Sequence, residues 1–324
     1  MNPKEFSDYI KQGDFKRVYL FYGEERYLVR YYTDTLVASI GDVVNFDASS
    51  PVGSIITASD TMPFLVDKRL VRVQYSNLFV TGRKADSEAM ALYLPNIPDS
   101  TILVFMESNV DRRGKLYKRI SEIGRVIECE TPSIQSLTTW LNRLFGKHNM
   151  RIDHMAINLL LKYTAHNMTT IAQEADKLVA YVGQSTTVTA DDIKAVCSPT
   201  LQTRVFDLIG VMGNGHVGQA VNMYRDMILM KEQPLMILAM IIRQFRILLM
   251  VKAAIEKGMP KHQMTKAFGL KSFIIDEAES QCRRFTIKKI IGALEECQDT
   301  DIKIKTGSIN AEAGVELLIL QFSV

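Results

Sequence analysis

The chain has 324 residues, 47% of them hydrophobic and 23% charged, the composition of an ordinary soluble globular protein long enough for two or three domains. Its 39 basic and 36 acidic side chains leave a formal charge of +3, too mild to imply nucleic acid from charge alone, so any basic face must be local. Four scattered cysteines (Cys129, Cys197, Cys282 and Cys297) form no Cys-x-x-Cys pair, which argues against zinc and fits a reduced, cytoplasmic compartment. The first ten residues are polar and carry no signal-peptide pattern. The longest apolar run, 235–242, stops at Arg243, short of the ~18 residues of a membrane span, so no membrane partner is expected.

In chain order, Asn2 and Pro3 read as the N-cap and first position of a short helix reaching residue 12. Five apolar or aromatic residues, 18–22, then run unbroken into Gly23, the signature of a strand buried on both faces. A helix is expected over 25–39, a strand over 43–47 and a short helix from Pro51 to Asp60. Strands at 69–75, 101–106 and 125–130 alternate with helices at 84–94 and 111–123. That alternation predicts a parallel, helix-covered sheet. After Pro132 no strand is expected. Helices are read at 133–147, 153–163 and 168–182, and a short one is capped by Thr189. Ser198-Pro199-Thr200 reads as a linker, after which seven helices fill 203–212, 216–230, 234–257, 260–268, 272–283, 286–303 and 310–322. The expected architecture is an α/β domain over 1–132, a small helical domain over 133–200 and an all-helical domain over 201–324.

The turn at Gly23 is where a nucleotide-binding fold places a phosphate, against the first amides of a helix. A phosphate cradle requires Gly-x-x-x-x-Gly-Lys-[Ser/Thr]. Here Gly23 is followed by Glu24 and Glu25, which repel a triphosphate, and this loop has no Lys followed by Ser or Thr. An ATPase on this plan ends its third strand in acidic residues that hold Mg²⁺ and orient water. Gln74 and Tyr75 stand there instead. Thr170 occupies the place where a helical lid would send an Arg to the γ-phosphate, and no Ser-Arg-Cys finger is present. These absences together predict a nucleotide-type scaffold with no cofactor, no catalytic site and no metal site.

Two segments point to partners. Pro63 disfavours helix at Met62, leaving Met62, Phe64 and Leu65 clustered at the turn into the third strand. They either cap the sheet or form an apolar tip that enters another protein's pocket; exposed clusters of this kind mark interaction sites. In Asp111–Arg119, Arg112, Lys115 and Arg119 recur at three- and four-residue spacing, with Arg113 and Lys118 beside them. That face is either solvated or tracks the phosphates of a duplex without reading its sequence. Met223, Met227, Met230, Met236, Met240 and Met250 fall mostly at core spacing, though adaptable Met surfaces also suit contacts between protein subunits. Arg243 and Arg246 interrupt an apolar helix and either pair across an interface or snorkel. The five histidines lack metal-ligand spacing and are given no role.

The residues in combination resemble the delta-subunit family of the bacterial replicative clamp loader, part of DNA polymerase III. Four stretches carry the resemblance, in order and correctly spaced, over nearly the whole chain. They are the strand and degenerate loop at 18–28; Met62-Pro63-Phe64-Leu65 before Asp67-Lys68-Arg69-Leu70; the basic segment 111–119; and Asp301-Ile-Lys-Ile-Lys-Thr-Gly307. Met62 departs from the more usual Leu and fills similar apolar pockets. The resemblance implies a non-hydrolysing AAA-type protein: a RecA-like α/β domain, a helical lid and a C-terminal collar. It implies clamp binding through Met62, Pro63, Phe64 and Leu65, and stabilisation of the opened ring. The implied setting is a hetero-pentamer with ATP-hydrolysing gamma/tau subunits and delta-prime, within an assembly that has DNA-directed DNA polymerase activity. Primer–template DNA is the implied partner of Arg112, Arg113, Lys115, Lys118 and Arg119. Two other readings stay open: an atypical P-loop ATPase or kinase, which requires nucleotide at Gly23–Glu25, and a stand-alone DNA-binding scaffold, which requires salt-sensitive DNA affinity and no clamp partner.

Overall fold

Strand β1, Val18–Tyr22, is buried at every position. Successive side chains of a strand leave on opposite faces, so an uninterrupted apolar run is buried only if both faces are covered. On one face Tyr19 and Phe21 join Phe6 and Tyr32 in an aromatic cluster, with Phe6 edge-on to Tyr32 at 4.8 Å between ring centroids. On the other, Val18, Leu20 and Tyr22 pack with Val71, Val73, Leu103, Phe105, Leu116 and Ile120.

This computed structural model describes residues 6, 8–10, 12–13, 15–64, 66–183 and 186–322. Its chain divides into two compact units, Met1–Ser133 and Ile134–Val324. In the first, β1 is flanked by β4 (Thr101–Glu107) and β5 (Arg125–Glu128). Beyond β4 lie β3 (Arg69–Gln74) and then β2 (Asp42–Phe46), giving the order β2-β3-β4-β1-β5 with every pairing parallel. Tyr22 is level with Glu107 on one side and Glu128 on the other, so the C-terminal ends of β4, β1 and β5 are aligned. Helices Arg26–Ile40, Val52–Asp60, Lys84–Tyr93 and Lys115–Ile123 link the strands. This is the parallel-sheet α/β architecture expected from the alternation of patterns. The expected cap at Asn2 and Pro3 lies outside the described residues.

In the second unit the helices Ile134–Gly146, His154–Tyr163, Met168–Val182 and Ala190–Val196 come first. The last opens with a capping box: Thr189 Oγ1 accepts from the Asp192 amide, and the Asp192 carboxylate accepts from the Thr189 amide at 2.8 Å. One expectation fails here. A parallel pair of two-residue strands, β6 (Arg151–Ile152) and β7 (Thr187–Val188), joins the helical stretches.

Seven helices follow: Leu201–Gly213, Val217–Leu229, Pro234–Glu256, Lys261–Phe268, Ser272–Cys282, Ile287–Lys305 and Ala311–Phe322. The 23-residue Pro234–Glu256 helix is long and apolar enough to cross a membrane by length and composition. It serves instead as the middle of this unit's core, burying Ile237, Leu238, Ile241, Phe245, Leu248 and Val251 among neighbouring helices, with Arg243 and Arg246 exposed. Met227 belongs to that core and Met223 and Met240 pack on its edge, whereas Met230 and Met236 are more than half exposed. The element 301–307 has a local explanation. Lys305 pairs with Asp301 one turn earlier at 2.6 Å, and Gly307, at φ +75°, ends the helix as the Ser308 amide returns to the Lys303 carbonyl.

Candidate functional site

The loop after β1 is closed by its own side chain. Glu25 is the N-cap of the Arg26–Ile40 helix; its carboxylate accepts from the Tyr27 amide at 3.2 Å and the residue is almost fully buried. The amides of Leu28 and Val29 turn back to the Glu25 carbonyl. A carboxylate therefore occupies the helix N-terminus, where a nucleotide-binding protein would hold phosphate. Beneath it the Gly23 amide donates to the Glu107 carbonyl and the Glu25 amide to the Cys129 carbonyl. At Gly23, φ is +135°, and a Cβ would sit 2.4 Å from the Cys129 oxygen. The turn is thus stitched to both flanking strands. Burial first, then the neighbouring Glu25 charge, pushes the Cys129 thiol up to about 12, so this cysteine stays protonated.

The end of β3 offers no metal site. Gln74 closes the strand, and Tyr75, at φ +51°, lies beneath the Arg26 guanidinium at 5.7 Å. The one acidic group at the centre of the C-terminal rim is Glu107, which is buried and accepts from the Ser76 amide at 2.9 Å and the Ser76 hydroxyl at 2.5 Å. Burial raises its pKa, against the opposing effect of those hydrogen bonds. Glu107 was not singled out in the sequence; a carboxylate that follows the apolar run 102–106 was the available signal. Thr170 lies in the first turn of its helix, its amide donating to the Asn167 cap at 3.0 Å. Among the described residues no cluster of His, Cys, Asp or Glu is arranged to hold a metal ion.

The 61–68 turn is the opposite case. Met62 and Phe64 are each 80% exposed, Pro63 is half-buried and Val66 is exposed. Met62 and Phe64 therefore do not cap the sheet, one of the two readings left open by the sequence. Leu65 lies outside the described residues. Among the described residues of this turn, Met62, Pro63, Phe64, Val66 and Asp67 make no hydrogen bond or ion pair, while both ends are fastened. The Thr61 carbonyl accepts from Arg69 Nη1 at 3.3 Å, Asp60 accepts from the Tyr93 hydroxyl at 2.5 Å, and Lys68 donates to the Asp99 carbonyl at 3.1 Å.

The basic segment is only partly helical. The helix begins at Lys115, so Arg112 and Arg113 precede it and do not share a helical face with Lys115 and Arg119. Asp111 makes a side-chain turn instead, accepting from the Arg113 amide at 3.0 Å, and Gly114 is the N-cap. Four of the five cations have acidic partners: Arg112 with Glu128, Arg113 with Asp111 at 3.0 Å, Lys115 with Glu88 at 3.1 Å and Arg119 with Glu122 at 3.0 Å. Arg112 also lies 5.7 Å from the Tyr22 ring centroid. Lys118 is exposed and makes no ion pair among the described residues. Exposed pairs of this kind are weak and exchange readily with other anions.

Comparison with known proteins identifies the family. Residues 19–130 match the family model for the DNA polymerase III delta subunit, and residues 202–322 match the model for the C-terminal domain of that protein, together more than two thirds of the chain. The DNA polymerase III subunit delta of Bacillus subtilis is 25% identical over 328 residues, covering 96% of this chain and 94% of the relative. A probable DNA polymerase III subunit delta of Aquifex aeolicus is 22% identical over 268 residues, covering 79% and 77%. In fold, the chain is similar to a Bacillus subtilis DNA clamp loader delta protein, with a TM-score of 0.77 over 99% of both chains at 24% identity. The chain belongs to the delta-subunit family of DNA polymerase III.

Proposed function

We propose that this delta-family protein acts in a clamp loader by binding the ring-shaped sliding clamp through the tip Met62, Pro63, Phe64 and Leu65, and that it favours the opened ring. The observation that carries this reading is the 80% exposure of Met62 and Phe64 on a turn whose ends are hydrogen-bonded. Burying an exposed Phe or Leu in a partner's pocket is worth roughly 1.5–3 kcal/mol each. A protein that contacts the open interface better than the closed one shifts the ring toward opening by that difference alone, with no chemical step of its own.

The same reading makes the chain a non-hydrolysing member of its assembly. Glu25 fills the helix N-terminus and Gln74 and Tyr75 end β3, which supports an absence of nucleotide turnover. ATP-hydrolysing gamma/tau subunits and delta-prime would then control presentation of the tip, in a cytoplasmic hetero-pentamer. Residues 1–132 would carry the tip, 133–200 would form the lid and 201–324 the collar that holds the subunits together. Arg112, Arg113, Lys115, Lys118 and Arg119 are proposed as primer–template contacts, most of them by exchanging a carboxylate partner for phosphate. The test is capture of the clamp by the full chain carrying Phe64→Ala and Leu65→Ala. Lost capture with an unchanged melting temperature supports the reading, and retained capture and unloading of clamps from nicked circles overturns it.

A further inference from the structure

The residues that fasten the tip lie outside it in sequence: Lys68 and Arg69 follow it in the stretch 67–70, to which no role was assigned, and Tyr93 and Thr101 come later in the chain. Arg69 opens β3 directly opposite Asp42, the first residue of β2. Its Nε donates to Asp42 at 2.8 Å, and both side chains are largely buried. With one guanidinium edge held there, Nη1 reaches across the turn to the Thr61 carbonyl at 3.3 Å. At the same arriving end of the turn, the half-buried Tyr93 donates its hydroxyl to Asp60 at 2.5 Å. Next to it, Thr101 Oγ1 donates to the Ser59 carbonyl at 2.7 Å inside the core. The departing end is tied as well, by the Arg69 amide to the Ser100 carbonyl at 2.8 Å and by Lys68 to the Asp99 carbonyl.

We infer that Arg69 and Tyr93 are positioning residues for the tip. Arg69 bridges the strand register to the Thr61 carbonyl, Tyr93 pins Asp60, and the two hold the base of the turn in the form that enters the partner's pocket. The inference rests on the tip reading given above. A loop already ordered at its base loses less conformational freedom on binding. Loosening the base leaves only a fraction of molecules competent, and the apparent affinity falls by that fraction.

The chemistry of Arg69 separates positioning from stability. Lysine in its place keeps a cation for Asp42 but lacks the second arm of the fork that reaches Thr61. Tyr93→Phe removes one hydroxyl and keeps the ring. The experiment is surface-immobilised sliding clamp titrated with the full chain as wild type, Arg69→Lys, Tyr93→Phe and Phe64→Ala, with a thermal melt of each. Loss of one hydrogen bond predicts a three- to tenfold slower association for Arg69→Lys and for Tyr93→Phe, on the order of one net hydrogen bond. Dissociation rate and melting temperature are expected to stay near the wild-type values. If Phe64→Ala abolishes binding while Arg69→Lys and Tyr93→Phe associate like wild type, the positioning role is overturned and the tip reading stands. The positioning role is also overturned if both variants melt lower in proportion to their loss of binding, since their effect is then on the fold. If Phe64→Ala itself binds normally, the tip reading falls and this inference falls with it.

Discussion

The turns at Gly23, from strand into helix, and at Met62, from helix into strand, are opposites in exposure and bonding. After β1 the chain hydrogen-bonds to both neighbouring strands, and a buried carboxylate fills the helix N-terminus that follows. Before β3 the chain presents apolar side chains to solvent and, among the described residues, makes hydrogen bonds only at the two ends of the turn. A site that must take up phosphate needs free helix amides and glycine-lined room. A site that docks on another protein needs exposed apolar area on a fixed base. The contrast is one of local geometry: the first turn is filled by its own carboxylate and bonded to both neighbouring strands, and the second is bonded at its base and open at its tip.

Substitutions in the two turns should therefore have opposite signatures. The largest effect is expected from Gly23→Ala, whose Cβ meets the Cys129 carbonyl at 2.4 Å with φ at +135°. It should destabilise the N-terminal unit by at least about 2 kcal/mol, read as a lower denaturant midpoint. Phe64→Ala should leave that midpoint unchanged, because an 80% exposed side chain contributes little to the folded state. Glu25→Ala comes next, with about 1 kcal/mol lost from the helix cap. Calorimetry with ATP and Mg²⁺ should still show no heat of binding, since Gly23 has no room for a phosphate and no Lys follows it.

Glu107 sharpens the comparison through pH. Its folded-state pKa is raised, mainly by burial, so the native chain binds its proton more tightly than the unfolded chain. The contribution of this group is then fully present below the unfolded carboxyl range and is lost as pH rises through the folded value. Glu107→Gln, which keeps an acceptor for the Ser76 amide, should raise the melting temperature more at pH 8 than at pH 5. An equal change at both would remove the ionisation argument. The second unit shows the reverse sign. Burial, with Lys271 adding to it, lowers His166 from 6.5 to about 4, so stability held above pH 6.5 should decline as pH falls toward 4. His166→Phe should flatten that decline relative to wild type.

The smallest expected effects lie on the basic segment. Lys118→Ala should weaken duplex binding alike for every sequence and reduce the salt dependence by about one charge. Glu88→Gln, which frees Lys115 from its 3.1 Å partner, should strengthen it. If neither change moves DNA affinity, this face is a solvated one.

The sheet was legible in the sequence because its strands are short apolar runs between turn residues, and all five fall within a residue or two of their expected places. The two-residue strands β6 and β7 were not, since a period of two cannot be read from two residues. Arg112 was misplaced because its spacing to Lys115 and Arg119 imitates a helical face. The Asp111-x-x-Gly114 turn was the stronger signal, with Asp111 bonding the Arg113 amide and Gly114 capping the helix. At Gly23 the two glutamates argued against phosphate, but that Glu25 turns inward as the cap was not legible, since the turn is set by the Cys129 carbonyl just after β5. The exposure of Phe64 was undecidable from sequence, since the same side chain would suit a core. Arg69 could not be linked to Thr61 without the register that sets it opposite Asp42.

The most direct test of the account is equilibrium binding of the purified full chain to the sliding clamp without any nucleotide, compared with the chain carrying Phe64→Ala and Leu65→Ala. The wild type should form a stable complex, unaffected by added ATP, and the double variant should form none at an unchanged melting temperature. Binding that appears only with ATP, or that survives the double substitution, would contradict it.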